Sequence, residues 1–324
     1  MGRLGPDVTS PLLSRPGAVA AEAPDAGVAA HYGDPYREQR RLEQGEATVD
    51  LSHRPVLRIT GADRLTWLHS LTTQHLTALQ SGVWTQALVL SPHGHVEHHL
   101  QLVDDGAALW AHLEPGTAPA LLDFLRRMQF MLRVEAADVS NDWAVLHGGG
   151  ADRLVERSSL SSYDGELAGV WAHEALRVAA RRPRLGVDTD HRTIPNEVGW
   201  LATAVHLDKG CYRGQETVAR VHNLGRPPRR LALLHLDGSD SELPAAGEPV
   251  TYDGREVGRV GTAVRHHELG PLALALVKRQ VPDEAELLAG AVAARIDPAA
   301  ADEPVSQARQ AAAVRSSFLR IPRA

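Results

Sequence analysis

Cysteine occurs once among 324 residues, at position 211, and that count removes whole classes of architecture. One thiol closes no internal disulfide, which agrees with a reducing compartment. Nor can it supply the roughly four ligands of a self-contained zinc or iron-sulfur site built from cysteines. Any cluster chemistry would need a partner, and the fold must rest on buried apolar surface. The composition allows this, since 43% hydrophobic and 23% charged residues are the proportions of a soluble globular protein. A chain of this length is expected to form two or three domains. No apolar run approaches the ~18 residues of a membrane span. Arg3, Asp7, Arg15, Glu22 and Asp25 interrupt the N-terminus, so no secretory signal is read there and a cytoplasmic location is expected. The net charge of -6 argues against strong direct nucleic-acid binding. Two basic groups, Arg181, Arg182 and Arg184, then Arg226, Arg229 and Arg230, read most simply as solvated surface. A ligand's anionic tail, such as a glutamate chain, is the functional alternative.

The cysteine lies in a glycine-bracketed loop, Lys209-Gly210-Cys211-Tyr212-Arg213-Gly214-Gln215-Glu216. Gly210 and Gly214 lift the Cβ restriction on backbone angles, so the loop can bend sharply or approach a ligand closely. Lys209 would add a positive charge near the sulfur, and a helix starting near Gln215 would add its N-terminal field; both favour the thiolate. The plainer alternative is a buried thiol in a structural turn.

Residues 1–33 are rich in Ala, Pro and Gly without periodicity and predict a disordered tail. Asp34-Pro35 offers an N-cap and a first-turn proline, and Gly45 a stop, for a short helix. Strands are predicted over 47–51 and 55–60, a helix within 63–71 carrying Leu65, Leu68 and Leu71, and a strand over 83–90. On the next strand, 95–103, alternation puts Val96, His98, Leu100 and Leu102 on one face and His95, Glu97, His99 and Gln101 on the other. A hairpin through Asp104-Asp105-Gly106 follows, then an amphipathic helix over 119–128 and strands over 131–136 and 143–147. A loop-rich segment is expected over 148–174 and a strand over 175–180. Past Pro227-Pro228 only strand signals remain, which a small β-barrel over 229–296 accounts for, before a tail over 297–324. Helices mixed with hairpins make the region 34–228 an α+β structure, not a doubly wound parallel sheet.

The loop, continued by Thr217-Val218-Ala219-Arg220, resembles the signature of the YgfZ-type folate-binding proteins, relatives of the glycine-cleavage T-protein. Val49-Asp50-Leu51-Ser52-His53, Gly61-Ala62-Asp63 and Leu71-Thr72-Thr73-Gln74 resemble the family's first blocks, spacing included. Arg184-Leu185-Gly186-Val187-Asp188, then Ile194-Pro195-Asn196-Glu197, resembles a further T-protein block. The likeness extends over most of the chain. It implies a T-protein-like arrangement of two intertwined ferredoxin-like α+β modules with a small C-terminal β-barrel. It also implies tetrahydrofolate, or a one-carbon derivative, as ligand. Glu197 would be the pterin contact, because a carboxylate accepts two parallel NH bonds from an aminopyrimidine face. Arg229, or Arg230, would suit the carboxylates of the glutamyl tail.

In the aminomethyltransferases two consecutive aspartates stand where Gly94 and Leu100 bring His98 and His99. That catalytic carboxylate is lost here. Imidazole can hydrogen-bond folate, and His98 is a candidate folate contact, but it supplies no fixed negative charge opposite an iminium-like centre. His93, His95, His98 and His99 are split between strand faces, so no metal site is read from them. Two functions follow. One is a tetrahydrofolate-binding protein, not a true aminomethyltransferase, that supports iron-sulfur cluster assembly or repair and through it tRNA-modifying enzymes. There Cys211 with Lys209 would act in the loop framed by Gly210, Tyr212, Gly214, Gln215 and Glu216, toward iron-sulfur proteins or assembly factors. The other is a folate-dependent aminomethyltransferase or demethylase, which requires an acid-base group that the sequence does not offer.

Overall fold

Three larger β structures and one two-stranded ribbon carry the chain, and the computed structural model describes them over residues 9–239 and 242–298. The elements run β1 (Val19–Ala20), β2 (Ala29–His31), α1 (Pro35–Glu43), β3 (Thr48–Asp50), β4 (Val56–Thr60), α2 (Arg64–Leu71), β5 (Thr85–Leu90), β6 (Val96–Asp104), β7 (Ala108–His112) and α3 (Ala118–Arg127). Then come β8 (Glu135–Asp138), β9 (Trp143–Gly148), β10 (Ala151–Glu156), β11 (Leu167–Ala168), α4 (Val170–Ala179), α5 (Trp200–Thr203) and α6 (Gln215–Leu224). The last strands are β12 (Arg229–Leu236), β13 (Pro249–Tyr252), β14 (Arg255–His266), β15 (Gly270–Lys278), β16 (Glu286–Ala289) and β17 (Val292–Ile296).

A five-stranded antiparallel sheet has the order β5-β6-β7-β4-β8, and a four-stranded sheet the order β10-β9-β3-β11. β12 to β17 close into a barrel, with β12 pairing both β15 and β17. The α+β class and the C-terminal barrel expected from the sequence are therefore both present. One face of the five-stranded sheet, with Leu57, Ile59, Val89, Leu100 and Leu102, packs under Trp67 and Leu68 of α2 and Leu121 and Leu125 of α3. On α4, Ala175 and Val178 pack against Leu233, Leu272 and Leu274 of the barrel. Among the described residues no helix is long and apolar enough to cross a membrane.

Local chemistry explains where elements begin. Asp34 Oδ1 accepts from Arg37 N at 3.0 Å and Pro35 fills the first turn of α1. Gly45, at φ +76°, lets the chain leave that helix.

The even alternation expected along β6 fails at its start. Val89 pairs with His98, but Leu90 pairs with Val96, so Glu97 is an extra residue in a β-bulge. One inserted residue exchanges the faces of everything before it. Val96 therefore packs with Leu88 and Leu90 and not with Leu100 and Leu102.

Four other expectations are corrected. Residues 9–31, read as part of a disordered tail, form an ordered segment in which Leu12, Val28, Ala29 and Ala30 are buried. They have no apolar period because the cores they fill belong to other elements. The strand expected over 175–180 lies in α4, whose buried Ala172, Ala175 and Val178 recur at the helical spacing of three. The segment 148–174, expected to be loop-rich, holds β10, β11 and the start of α4. The strand expected from residue 131 starts only at Glu135; Phe130 takes φ +48°, and Phe130 and Met131 are 79% and 98% exposed. Positions 1–8 of the expected N-terminal tail, and the C-terminal tail beyond residue 298, lie outside the described residues.

Candidate functional site

Two glycines allow two turns to meet beneath the cysteine. Gly214 and Gly94 both have φ +81°, a conformation that side chains resist. A Cβ on Gly214 would stand 2.5 Å from Ser91 O and 2.8 Å from Gly94 Cα, and one on Gly94 would stand 2.7 Å from Thr217 Cβ. The cysteine loop and the N-terminus of α6 thus dock backbone to backbone on the β5–β6 turn. Replacing Gly214 by Ala adds both the left-handed penalty and overlap with main chain, so a loss of about 2 kcal/mol or more is expected in urea unfolding. Gly210 has nothing within 4 Å of its Cβ position, and Gly210→Ala should unfold with the wild type.

The residues flanking the sulfur are its roots. Lys209 is 5% exposed; its Nζ donates to the carbonyls of His69 and Thr72 at the end of α2 and lies 5.2 Å from the Tyr212 ring centroid. A cation there meets the negative end of the helix dipole, while burial pulls the amine down to about 8. Tyr212 is buried among Leu88, Leu90, Val198 and Val218, and that burial pushes its hydroxyl up to about 12. Between them Cys211 is exposed. The expected role of Lys209 as a charge beside the sulfur gives way to one as an anchor, since its ammonium is bound to the helix end. Arg213 reaches Glu97 at 3.3 Å and lies 5.7 Å over the Phe124 ring. Gln215 and Glu216 begin α6, where the sequence placed a helix start.

Glu197 lies in a 3-10 turn, Pro195–Glu197, and is 4% exposed. Its Oε2 accepts from Ile194 N at 3.1 Å. Arg229 donates from Nε to Oε1 at 2.8 Å and from Nη2 to Oε2 at 2.9 Å. The structure thus joins two of the nominated residues, but to each other. Arg229 also binds Asp190, with Nη1 donating to Oδ2 at 2.5 Å, and this guanidinium holds the Asp190 carboxyl well below the usual range despite partial burial. The parallel N–H pair that an aminopyrimidine would offer Glu197 comes here from the guanidinium. Next to it, Asn196 Oδ1 is buried without a partner. Thr193 O accepts from Val96 N at 2.8 Å and Asn196 Nδ2 donates to Val218 O at 3.4 Å. Glu197 and Cys211 therefore rest on the same junction of β6 and α6, one buried and one exposed.

His98 and His99 project to opposite faces of β6. His99 stacks 4.6 Å from Trp200 and bonds Gln86 Oε1 through Nε2 at 3.0 Å, on the face that meets the Glu197 segment. His98 is buried on the other face, with Nδ1 unpartnered. Burial lowers both rings to about 4. Of the two, it is His99 that faces the Glu197 segment, while His98, expected as a ligand contact, lies on the opposite face of the sheet. The sequence holds no sign of the face that decides between them.

Behind this wall lies a buried ionic network that the sequence reading missed. Arg184 binds Asp25 at 2.7 Å, Glu114 at 2.8 Å and Glu174 at 3.2 Å. Arg177 binds Glu174 at 2.6 Å and Asp188 at 2.8 Å. Asp152 takes His112 at 2.8 Å and His147 at 2.6 Å, and those two imidazoles hold its carboxyl well below the usual range against burial. The only sequence signal was the block containing Arg184 and Asp188. Among the described residues no three or more His, Cys, Asp or Glu side chains are arranged to hold a metal ion.

Comparison with known proteins fits this geometry. The family model of the CAF17 C-terminal beta-barrel domain matches residues 229–303. A mitochondrial iron-sulfur cluster assembly factor IBA57 homolog of Mycosarcoma maydis is 25% identical over 237 residues, 60% of this chain and 58% of that protein. The tRNA-modifying protein YgfZ of Yersinia enterocolitica is 35% identical over 92 residues, 28% of this chain and 27% of that protein. The chain thus spans less than two thirds of the length of these curated relatives. The glycine cleavage system aminomethyltransferase T from Bartonella henselae superposes with a TM-score of 0.74 at 16% identity, covering 89% of this chain and 96% of that one. That likeness shows a common fold. The chain is thus similar to the CAF17 C-terminal barrel over residues 229–303 and, in parts of its sequence, to IBA57 and YgfZ proteins, and it has the fold of the aminomethyltransferase T structure.

Proposed function

We propose that the chain binds a reduced folate and supports assembly or repair of iron-sulfur clusters in partner proteins, tRNA-modifying enzymes among them. The observation that carries this is the presentation of Cys211, an exposed thiol on a loop rooted on both sides by the buried Lys209 and Tyr212. A rigid, accessible sulfur suits a contact with a metal or a one-carbon unit on another molecule. The roles that the relatives' names carry, cluster assembly and tRNA modification, point the same way. For the folate, the buried Glu197 with the unpartnered Asn196 Oδ1 beside it offers acceptors that an aminopyrimidine would satisfy. The pterin would take over the donors that Arg229 now supplies, while Asp190 keeps the arginine. Bound there, the folate would supply a one-carbon carrier. Imidazoles at the positions of the aspartate pair leave no carboxylate for aminomethyl transfer.

Two measurements test this reading. Calorimetric titration with tetrahydrofolate should show binding that Glu197→Gln weakens at least tenfold, the share of a charge-assisted pair. Cys211→Ala should bind folate as the wild type does, yet fail to restore a cluster-dependent enzyme in cells lacking the protein. Full restoration by Cys211→Ala removes the thiol from the function, and turnover with an aminomethyl donor establishes the transferase instead.

A further inference from the structure

Between α3 and β8 the chain turns three apolar side chains outward in succession, Phe130, Met131 and Leu132; the last is 40% exposed and the other two more so. Single exposed apolar residues are ordinary on a protein surface. Three in a row are a fault unless something uses them. Phe130 also holds φ +48°, a conformation that a bulky side chain resists and that persists only where its surroundings enforce it. They do so here. Gln129 Nε2 donates to Val134 O at 2.7 Å and Leu132 N donates to Gln129 O at 3.1 Å, closing the neck of the loop. Arg133 then donates to the carboxylate of Asp63, just before α2, from N at 2.9 Å and from Nη2 at 3.0 Å. The tip is pinned outward and needs little ordering on contact.

The same two helices carry the cysteine loop. Lys209 ends on the carbonyls of His69 and Thr72 at the close of α2, and Arg213 lies over the Phe124 ring of α3. Trp67, earlier in α2, donates from Nε1 to Met128 O at 2.9 Å, where the apolar loop begins. The cysteine loop and the tip thus stand at opposite ends of one helix pair, roughly 10–15 Å apart along it. A standard interface covers about 800 Å² a side, roughly 30 Å across, so one partner can touch both. The tip alone offers on the order of 400 Å² of apolar surface, too little to hold a stable dimer of this chain. It suits a partner that arrives, meets the thiol and leaves. Beside the tip, Arg126 binds Asp123 and Arg133 binds Asp63, while the exposed Arg127 pairs with no acid among the described residues.

We propose that Phe130 and Met131 form the docking tip for the protein whose cluster Cys211 meets, seated in an apolar pocket of that protein with a carboxylate at its border opposite Arg127. The identity of the partner as an iron-sulfur protein rests on the function proposed above.

The test uses the full chain in cells lacking the protein, with a cluster-dependent enzyme as readout and p-benzoylphenylalanine in place of Met131 to trap what sits there. The double variant Phe130→Gly, Met131→Gln should melt with the wild type, since both side chains are exposed and glycine accepts the φ. It should also bind tetrahydrofolate as the wild type does, yet restore the enzyme about tenfold less well at equal expression. Irradiation should give an adduct that mass spectrometry identifies as an iron-sulfur protein, with a yield that Arg127→Glu lowers about fivefold. Full restoration by the double variant overturns the docking tip; the function proposed above then stands if Cys211→Ala still fails to restore the enzyme, and falls with it if Cys211→Ala restores it too. An adduct only with a second copy of this chain, only with the chain's own residues or only with lipid overturns the tip, as does a yield that Arg127→Glu leaves unchanged.

Discussion

Acidification from pH 7 to about 4.5 is expected to remove several kcal/mol of folding stability, well before most carboxylates titrate. Burial holds His98 and His99 at about 4 and His173 at about 3, against about 6.5 in an unfolded chain. Between those values the unfolded state binds protons that the native state refuses, so stability falls as pH falls. The contribution is complete above pH 6.5 and disappears progressively toward pH 4 and below. At pH 4.5 each ring accounts for roughly 2 kcal/mol, a large share of the 5–15 kcal/mol typical of a domain. The carboxyls of Glu114, Asp152 and Glu174 are lowered by their cationic partners despite burial, so they add a loss of the same sign at lower pH. Urea midpoints measured at pH 7, 6, 5 and 4.5 check the slope. A flat profile over that range would show that the native state accepts these protons. His98→Gln should remove one ring's share of the slope, since that ring's shift comes from burial alone.

Much of the fold could be read from residues because its signals are local. Asp34-Pro35 and Gly45 bound α1, Gly214-Gln215 starts α6, and uninterrupted alternation after Pro227-Pro228 produces the barrel. The cysteine loop was equally legible, down to the glycine that its backbone contact with the β5–β6 turn requires. What escaped depends on partners distant in sequence. Nothing near Asp25 shows that its carboxylate will meet Arg184, 159 residues on. The ordered segment 9–31 was missed for that reason. The bulge at Glu97 is a property of two strands together, and it alone decides that Val96 turns toward Leu88 and Leu90. Lys209 misled because sequence adjacency to Cys211 says nothing of where a long side chain ends, and its ammonium ends on α2.

Arg184→Leu is the single substitution expected to cost most, about 3–5 kcal/mol. The guanidinium is buried and joins three carboxylates from separate parts of the chain: Asp25 of the N-terminal segment, Glu114 after β7 and Glu174 of α4. A leucine fills most of the volume but returns none of the charge, and an uncompensated carboxylate in the interior is expensive. The loss is not shared evenly. Glu174 keeps Arg177 at 2.6 Å, and Glu114 keeps Arg54 at 3.8 Å. Among the described residues Asp25 keeps only His53, at 2.9 Å. The N-terminal segment should therefore be the first part to detach. In limited proteolysis under native conditions, Arg184→Leu should be cut within residues 9–31 at a protease level that leaves the wild type intact, while the barrel persists. Asp25→Asn, which removes one carboxylate and leaves Arg184 two others, should expose the same segment at a smaller cost in urea unfolding. If Arg184→Leu keeps both the wild-type midpoint and an uncut N-terminal segment, the network is not what holds that segment in place.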